Sequence, residues 1–214
     1  MNPRRAYDAV ARAYDEQLRD ELRHKPLDRA LLAALLEQAG DGTVADAGCG
    51  PGHVTRFLAA RHPDVTGVDL SPAMVRIARD HAPALSFTVG SLLALPVRDA
   101  AWAGAVAMYS IIHLDPPERR TAFGELARAI RDDGPLLVAF HVEAAGVAAG
   151  ETTHLSTWFG SEVAVDVHFL DPAEVTADLV AAGFTMAASL VREPVGAGEF
   201  PSRRAYLLAR RTKR

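Results

Sequence analysis

The stretch of this chain with the most chemical information is Asp46-Ala47-Gly48-Cys49-Gly50-Pro51-Gly52. Glycines at alternate positions let the backbone turn tightly and let a ligand approach it closely. A second acidic residue, Asp69, ends the next apolar run, Val65 to Asp69. A carboxylate there can accept hydrogen bonds from both hydroxyls of a ribose, so the pair of features points to a nucleotide-type cofactor. The spacing argues against a dinucleotide. G-x-G-x-x-G would need its third glycine where His53 stands, and Pro51 has no N–H to offer a pyrophosphate.

Histidines and aromatics supply the other candidates. His113 follows the apolar run Gly104 to Tyr109. Imidazole titrates near neutral pH, so His113 is a candidate general base, with a hydrogen-bonded structural histidine as the alternative. His141 ends the run Leu136 to His141 and is expected on the other wall of the same cleft. His154 and His168 complete no compact ligand spacing with these two, so no metal is expected. Trp158, Phe159 and Phe169 stand among Thr152, Thr153, Ser156 and Thr157, a composition that suits a small, partly apolar acceptor. The alternative is a lid that packs on itself. Glu199, beside Phe200, is expected to form a further pocket edge. Cys49 precedes a helix, where a thiol pKa can fall, although a small residue presenting its backbone is the plainer reading.

The elements that must position these residues alternate along the chain. Short β-branched runs at Thr43–Ala47, Val65–Asp69, Leu85–Val89, Gly104–Tyr109 and Leu136–His141 are separated by helical spacings. The helices fall at 27–39, 53–61, 73–80, 117–131 and 172–182, with Ser71-Pro72 and Asp171-Pro172 as starts and Gly40 and Gly183 as stops. Such alternation predicts an α/β fold, a mostly parallel sheet with crossover helices. Phe184–Arg192 and Arg203–Arg210 read as an antiparallel hairpin at the sheet edge. Two pieces lie outside the alternation: a helix around Ala6 to Leu22, with Tyr7 and Tyr14 on one face, and the segment Val142 to Leu170. Open sheets bind ligands beyond their carboxyl edges, and both pieces are placed to roof that edge.

The chain has 214 residues, 49% of them hydrophobic. That length favours one domain over 1–214, with 1–26 as a cap helix region and 142–170 as a lid-like insertion. The formal charge of −4 gives no general attraction to nucleic acid or anionic lipid. Arg210, Arg211, Lys213 and Arg214 read as a solvated basic end. No apolar run reaches a membrane span or a signal peptide, and one cysteine allows no internal disulfide, so a cytoplasmic location is expected. The abundance of arginine and alanine over lysine fits a GC-rich bacterial genome.

D-A-G-C-G-P-G followed by G-V-D-L-S (Gly67 to Ser71) resembles the first two motifs of the class I S-adenosylmethionine-dependent methyltransferases. Gly90 to Pro96, Tyr109 to Leu114, Gly134 to Val138 and Ala205 to Ala209 resemble later strand ends of that family in the same order. The resemblance implies a Rossmann-like seven-stranded sheet with helices on both faces and an antiparallel C-terminal strand. It also implies S-adenosylmethionine as cofactor and S-adenosylhomocysteine as product. On that basis the backbone of Gly48, Cys49, Gly50 and Gly52 wraps the methionine part, and Asp46 faces its ammonium, with a strand-end acid capping the loop as the alternative. Asp69 binds the ribose, and Leu70 and Met74 flank the adenine, with ordinary helix core as the alternative for Met74. Gly90, Ser91 and Leu92 meet the adenine edge, with Ser91 where the family often has an aspartate. Tyr109 lines the cofactor, and Tyr14 on the N-terminal helix closes over it; the alternative is that Tyr7 and Tyr14 pack that helix onto the sheet. Methyl transfer needs in-line positioning first and a base only for a protonated acceptor. The expected acceptor is a small molecule. RNA or protein acceptors, or a non-catalytic binding module, remain as alternatives.

Overall fold

The computed structural model describes residues 3–196 and 199–213. Nine strands and six α-helices follow one another within them. They are α1 (Pro3–Leu18), α2 (Pro26–Ala39), β1 (Val44–Ala47), α3 (His53–Ala59), β2 (Val65–Asp69), α4 (Pro72–His81), β3 (Ser86–Val89), β4 (Gly104–Met108), α5 (Pro116–Ala129) and β5 (Pro135–Ala144). After these come β6 (Thr152–Trp158), β7 (Ser161–His168), α6 (Pro172–Ala181), β8 (Phe184–Arg192) and β9 (Ser202–Arg211). Seven strands form one sheet in the order β3-β2-β1-β4-β5-β9-β8, parallel from β3 to β5, with β9 antiparallel to both β5 and β8. The strand order reverses between β1 and β4. That switch point opens a crevice at the carboxyl ends of those strands, where open α/β sheets take ligands.

Local chemistry sets the helix starts. Ser71 accepts the Met74 N–H, and Asp115 with Glu118 forms a reciprocal capping box at α5. α2 and α3 bury Leu32, Leu35, Val54 and Leu58 on one face of the sheet. α5 and α6 bury Phe123, Leu126, Val175 and Leu179 on the other. The central strands β1, β4 and β5 are buried on both faces, as parallel strands between helix layers must be.

The two pieces outside the alternation come together. The insertion folds as a separate antiparallel hairpin, β6–β7, and its Val163 and Val165 form a small apolar cluster with Ala6 and Val10 of α1. α1 also reaches α4, where Asp8 accepts the Ser71 hydroxyl (2.6 Å) and the Ala73 N–H (3.1 Å). One expectation is corrected. The basic end is solvated only in part: Lys213 is exposed, but Arg211 is buried and donates to the Ala127 and Gly183 carbonyls, and Arg210 reaches Gln38. Arg214 lies outside the described residues.

Candidate cofactor and acceptor site

A cavity of about 430 Å³ opens at the switch point, inside the size range of small-molecule sites. Gly48 and Gly50 line it, and both have positive φ, +85° and +53°. Gly48 must lack a side chain for a second reason: a Cβ there would overlap Ser110 Cβ and stand 2.9 Å from its Oγ. A Cβ on Gly50 would meet only Tyr14, at 4.0 Å. The loop is tied to β2 through Asp69, whose two oxygens accept the N–H groups of Gly50 (2.7 Å) and Ser71 (2.8 Å). Each oxygen keeps a second lone pair for a ligand.

Of the other expected cofactor residues, Leu70, Gly90, Ser91, Leu92, Tyr14 and Tyr109 line the cavity. Ser91 Oγ already accepts the Leu93 N–H within the turn (3.1 Å). Tyr109 has φ +56°, a sparsely populated conformation for a tyrosine, at the point where β4 turns toward the glycine loop. Its hydroxyl lies 3.1 Å from that of Tyr206.

Several expected residues are placed elsewhere. Met74 is fully buried in α4, and Gly52 faces Phe87 and Ala78, so neither lines the cavity. Cys49 is buried, and burial next to Asp46 and Asp69 pushes its thiol well up, the reverse of an activated cysteine. His141 sits behind Tyr109, its ring 4.9 Å from the tyrosine ring and its Nδ1 2.7 Å from Ser202 Oγ. Burial, with Arg204 and Lys25 nearby, holds His141 down to about 3, so it is neutral and is not a wall of the cavity. Phe169 packs on His141. Trp158 and Phe159 stack on each other and abut Tyr14 from outside, so the tyrosines of α1 form the wall assigned to them. Glu199 is bound by Arg192 (2.8 Å), Arg204 (3.3 Å) and Lys25 (3.7 Å) in a buried ion cluster, not at a pocket edge. Among the described residues no group of three or more metal-ligating side chains converges.

A second cavity of about 30 Å³ adjoins the first, sharing Tyr14, Gly48, Gly50, Met108 and Tyr109. Asp46 lines it together with Glu21, Asp28, Cys49 and His53. Glu21 accepts from His53 Nε2 (2.9 Å) and Lys25 Nζ (2.6 Å), and the two partners hold its carboxyl down to about 2 against the opposing effect of burial. His53 Nδ1 and Asp28 Oδ2 are buried without a partner. A buried polar atom left unmatched carries a cost that a ligand can relieve. Carboxylates for an ammonium and an unmatched imidazole nitrogen beside a glycine loop fit the amino-acid end of S-adenosylmethionine. The sequence reading missed Glu21, Asp28 and His53. His53 was legible as the residue in place of a third glycine, while Glu21 and Asp28 carried no signal.

Residues 44–134 match the family described as a methyltransferase domain. A malonyl-[acyl-carrier protein] O-methyltransferase of Salmonella typhimurium is 32% identical over 139 residues, 62% of this chain and 52% of that protein. A trans-aconitate 2-methyltransferase of Methylobacterium nodulans is 35% identical over 112 residues, 50% of this chain and 41% of that protein. The chain spans about half the length of the curated relatives it matches. Among solved structures, a SAM-dependent methyltransferase of Methanosarcina mazei superposes with a TM-score of 0.74 at 18% identity, covering 86% of this chain and 98% of that one. The [4+2]-cyclase SpnF superposes with 0.75 at 19% identity, covering 98% and 96%.

Proposed function

We propose that this chain, which belongs to the class I S-adenosylmethionine-dependent methyltransferases, binds that cofactor along its glycine loop and transfers the methyl group to a small molecule. The observation that carries the reading is the Gly50–Asp69 hydrogen bond at the cavity wall, which presents loop backbone and carboxylate to one ligand. The cofactor supplies a methyl group on a positively charged sulfur, open to in-line attack. The protein's part is placement, since holding the reactants at near-contact distance supplies up to about 7–11 kcal/mol. Asp46, Asp28 and Glu21 face the ammonium, Asp69 the ribose, and Leu70 and Leu92 the adenine. His113 is the candidate base. The net charge of −4 supports a small acceptor over RNA. A single domain in a bacterial cytoplasm, as read from composition, completes the proposal; among the described residues no helix is long and apolar enough to cross a membrane.

The test is calorimetric titration with S-adenosylhomocysteine, followed by an acceptor screen that reads S-adenosylhomocysteine formed from S-adenosylmethionine. Absence of binding would remove the cofactor, and with it the function. Asp69→Ala is expected to weaken binding by about 1.5–3 kcal/mol through lost charge-assisted hydrogen bonds. Asp69→Asn should lose less, because one oxygen remains to hold the loop. Equal affinities for wild type and Asp69→Ala would take Asp69 out of the site.

Binding should also depend on pH. Burial raises the Asp46 carboxyl to about 6, with the Thr55 hydroxyl at 2.6 Å partly opposing the rise. A carboxyl whose pKa rises on folding favours the apo fold at low pH, and that contribution is lost as pH climbs through about 6. The ammonium needs the ionised form, so affinity should rise about tenfold from pH 5 to pH 7. Asp46→Asn should flatten the profile; a slope that persists in this variant would assign the titration elsewhere.

A further inference from the structure

One wall of the cavity is a hydrogen-bonded pair that joins three elements. His113, in the turn after β4, places Nδ1 2.6 Å from the backbone carbonyl of Asp166 in β7. Its Nε2 lies 2.8 Å from the hydroxyl of Tyr7 in α1. A carbonyl oxygen only accepts, so Nδ1 carries the ring proton and Nε2 presents its lone pair. Tyr7 therefore donates its hydroxyl proton to Nε2, and the lone pairs of the phenol oxygen are what the pair has left to offer. Both residues line the cavity. His113 is not free to accept a proton directly, because Tyr7 occupies the nitrogen that would take it. The ring stays neutral near pH 7, since burial outweighs the Asp166 carbonyl and lowers its pKa.

The same wall limits the acceptor. Among the described residues lining the cavity, the charged side chains are Asp69 and Glu118, and none is Arg or Lys. An acceptor with a carboxylate would enter next to negative charge with no Arg or Lys among the described lining residues to receive it, and having no proton to lose it would not use a base. Pro3, Leu93 and Leu114 line the cavity with Tyr7, as Asp69 and Glu118 do, and Tyr14 and Trp158 pack on its ring at 6.0 and 5.1 Å.

We propose that Tyr7 is a catalytic residue and that the acceptor is a neutral hydroxyl compound, a phenol or alcohol, deprotonated through Tyr7 onto His113. This deepens the methyltransferase reading and rests on it. The acceptor oxygen forms the new C–O bond as the methyl–sulfur bond breaks, and sulfur keeps that electron pair as a neutral thioether. The acceptor's proton moves to the Tyr7 oxygen while the Tyr7 proton moves to Nε2. The net result is a methyl ether and an imidazolium whose Nδ1–H remains on the Asp166 carbonyl. α1 and the β6–β7 hairpin thus each contribute to the reaction centre, Tyr7 from one and the Asp166 carbonyl from the other.

The probes are a series of para-substituted phenols running from p-cresol to 4-cyanophenol, with 4-methylbenzoate as the matched acid, each assayed with S-adenosylmethionine. The phenols should be methylated and the benzoate not. Tyr7→Phe and His113→Ala should lower kcat by about 10²–10⁴, with the largest loss for p-cresol, the least acidic member. S-adenosylhomocysteine affinity should stay within about twofold of wild type, and added imidazole should restore part of the His113→Ala rate. Independently of turnover, ¹⁵N NMR of labelled histidine should show His113 as the Nδ1–H tautomer, with an Nε2 signal that moves in Tyr7→Phe. The proposal is overturned by Tyr7→Phe turning over as fast as wild type, by a loss uniform across the phenols, or by methylation of the benzoate in place of the phenols. Methylation of no probe by a protein that binds S-adenosylhomocysteine would overturn the acceptor class and leave the cofactor site standing. Failure to bind would fall on the family-derived function instead.

Discussion

Replacing Gly48 by valine should lower the melting temperature by roughly 8–16 °C and abolish S-adenosylhomocysteine binding. Two costs combine at this position. A β-branched residue at φ +85° is strained by about 1–3 kcal/mol. Its Cβ would also overlap the Ser110 side chain, and overpacking of that kind costs about 1–3 kcal/mol. The sum centres on about 4 kcal/mol, and each kcal/mol shifts a chain of this size by about 2–4 °C. The Gly48 N–H also donates to the Val68 carbonyl at 2.7 Å, so relief by moving the loop would break its tie to β2. Gly50 is the control. A Cβ there has no closer neighbour than Tyr14, so Gly50→Ala should keep most of the stability and lose affinity by intruding on the ligand. Thermal melts and calorimetry on both variants check this. A Gly48→Val protein that melts with wild type and still binds would show that the loop tolerates what its geometry forbids.

Arg192→Ala should cost about 3–5 kcal/mol of stability, the range for stranding a buried charge. Arg192 donates to Asp28 and to Glu199, each at 2.8 Å, and to the Tyr206 hydroxyl at 2.8 Å. Asp28 is 1% exposed and already has one oxygen without a partner, so removing Arg192 leaves it with Tyr206 alone. The same cluster sets an acid limit. Burial pushes the Glu199 carboxyl up, but Arg192 and the Val195 N–H outweigh it and hold it at about 2. A carboxyl depressed on folding contributes stability that is present above its ordinary pKa, near 4.5, and lost as pH falls through about 2. Without Arg192 that contribution should be smaller and its loss complete at a higher pH. Urea denaturation at pH 7 and an acid titration of the fold measure the two effects. The double variant Asp28→Ala/Arg192→Ala should be less destabilised than the sum of the single changes, because each removes the other's unpaired charge. Strict additivity would mean that the two side chains do not depend on each other.

The parts of the site that were legible share a property: they are close together in the chain. The glycine loop lies within one strand-to-helix turn, and Asp69 ends the very next strand, so their chemistry is written in a short spacing. The capping residues Ser71 and Asp171 act on N–H groups two or three positions away. What escaped detection was joined from a distance. Asp28 meets Arg192 across 164 residues, and Tyr7 meets His113 across 106. No local pattern marks such partners. His141 and Glu199 were expected in the site because each stands at a strand end or loop near the cleft. Nearness to the edge, however, does not say which way a side chain turns. His141 turned toward Ser202 and Phe200, and Glu199 toward three cations.

The sequence by itself determined the α/β alternation and the place of the crevice, and it carried the glycine loop and the acid on which the proposed cofactor rests. Period, caps and glycine spacing act over a few residues, and hydrogen-bonding needs leave them few solutions. The tertiary structure alone decided what surrounds the cavity. It brought α1 against the β6–β7 hairpin to make the aromatic wall, and it put Tyr7 on the only free nitrogen of His113. It also converted Glu199 from a pocket candidate into the counterion of a buried cluster. The reason is energetic: a charge or ring nitrogen removed from water must find a partner. Which partner it finds depends on packing between segments that are far apart in the chain.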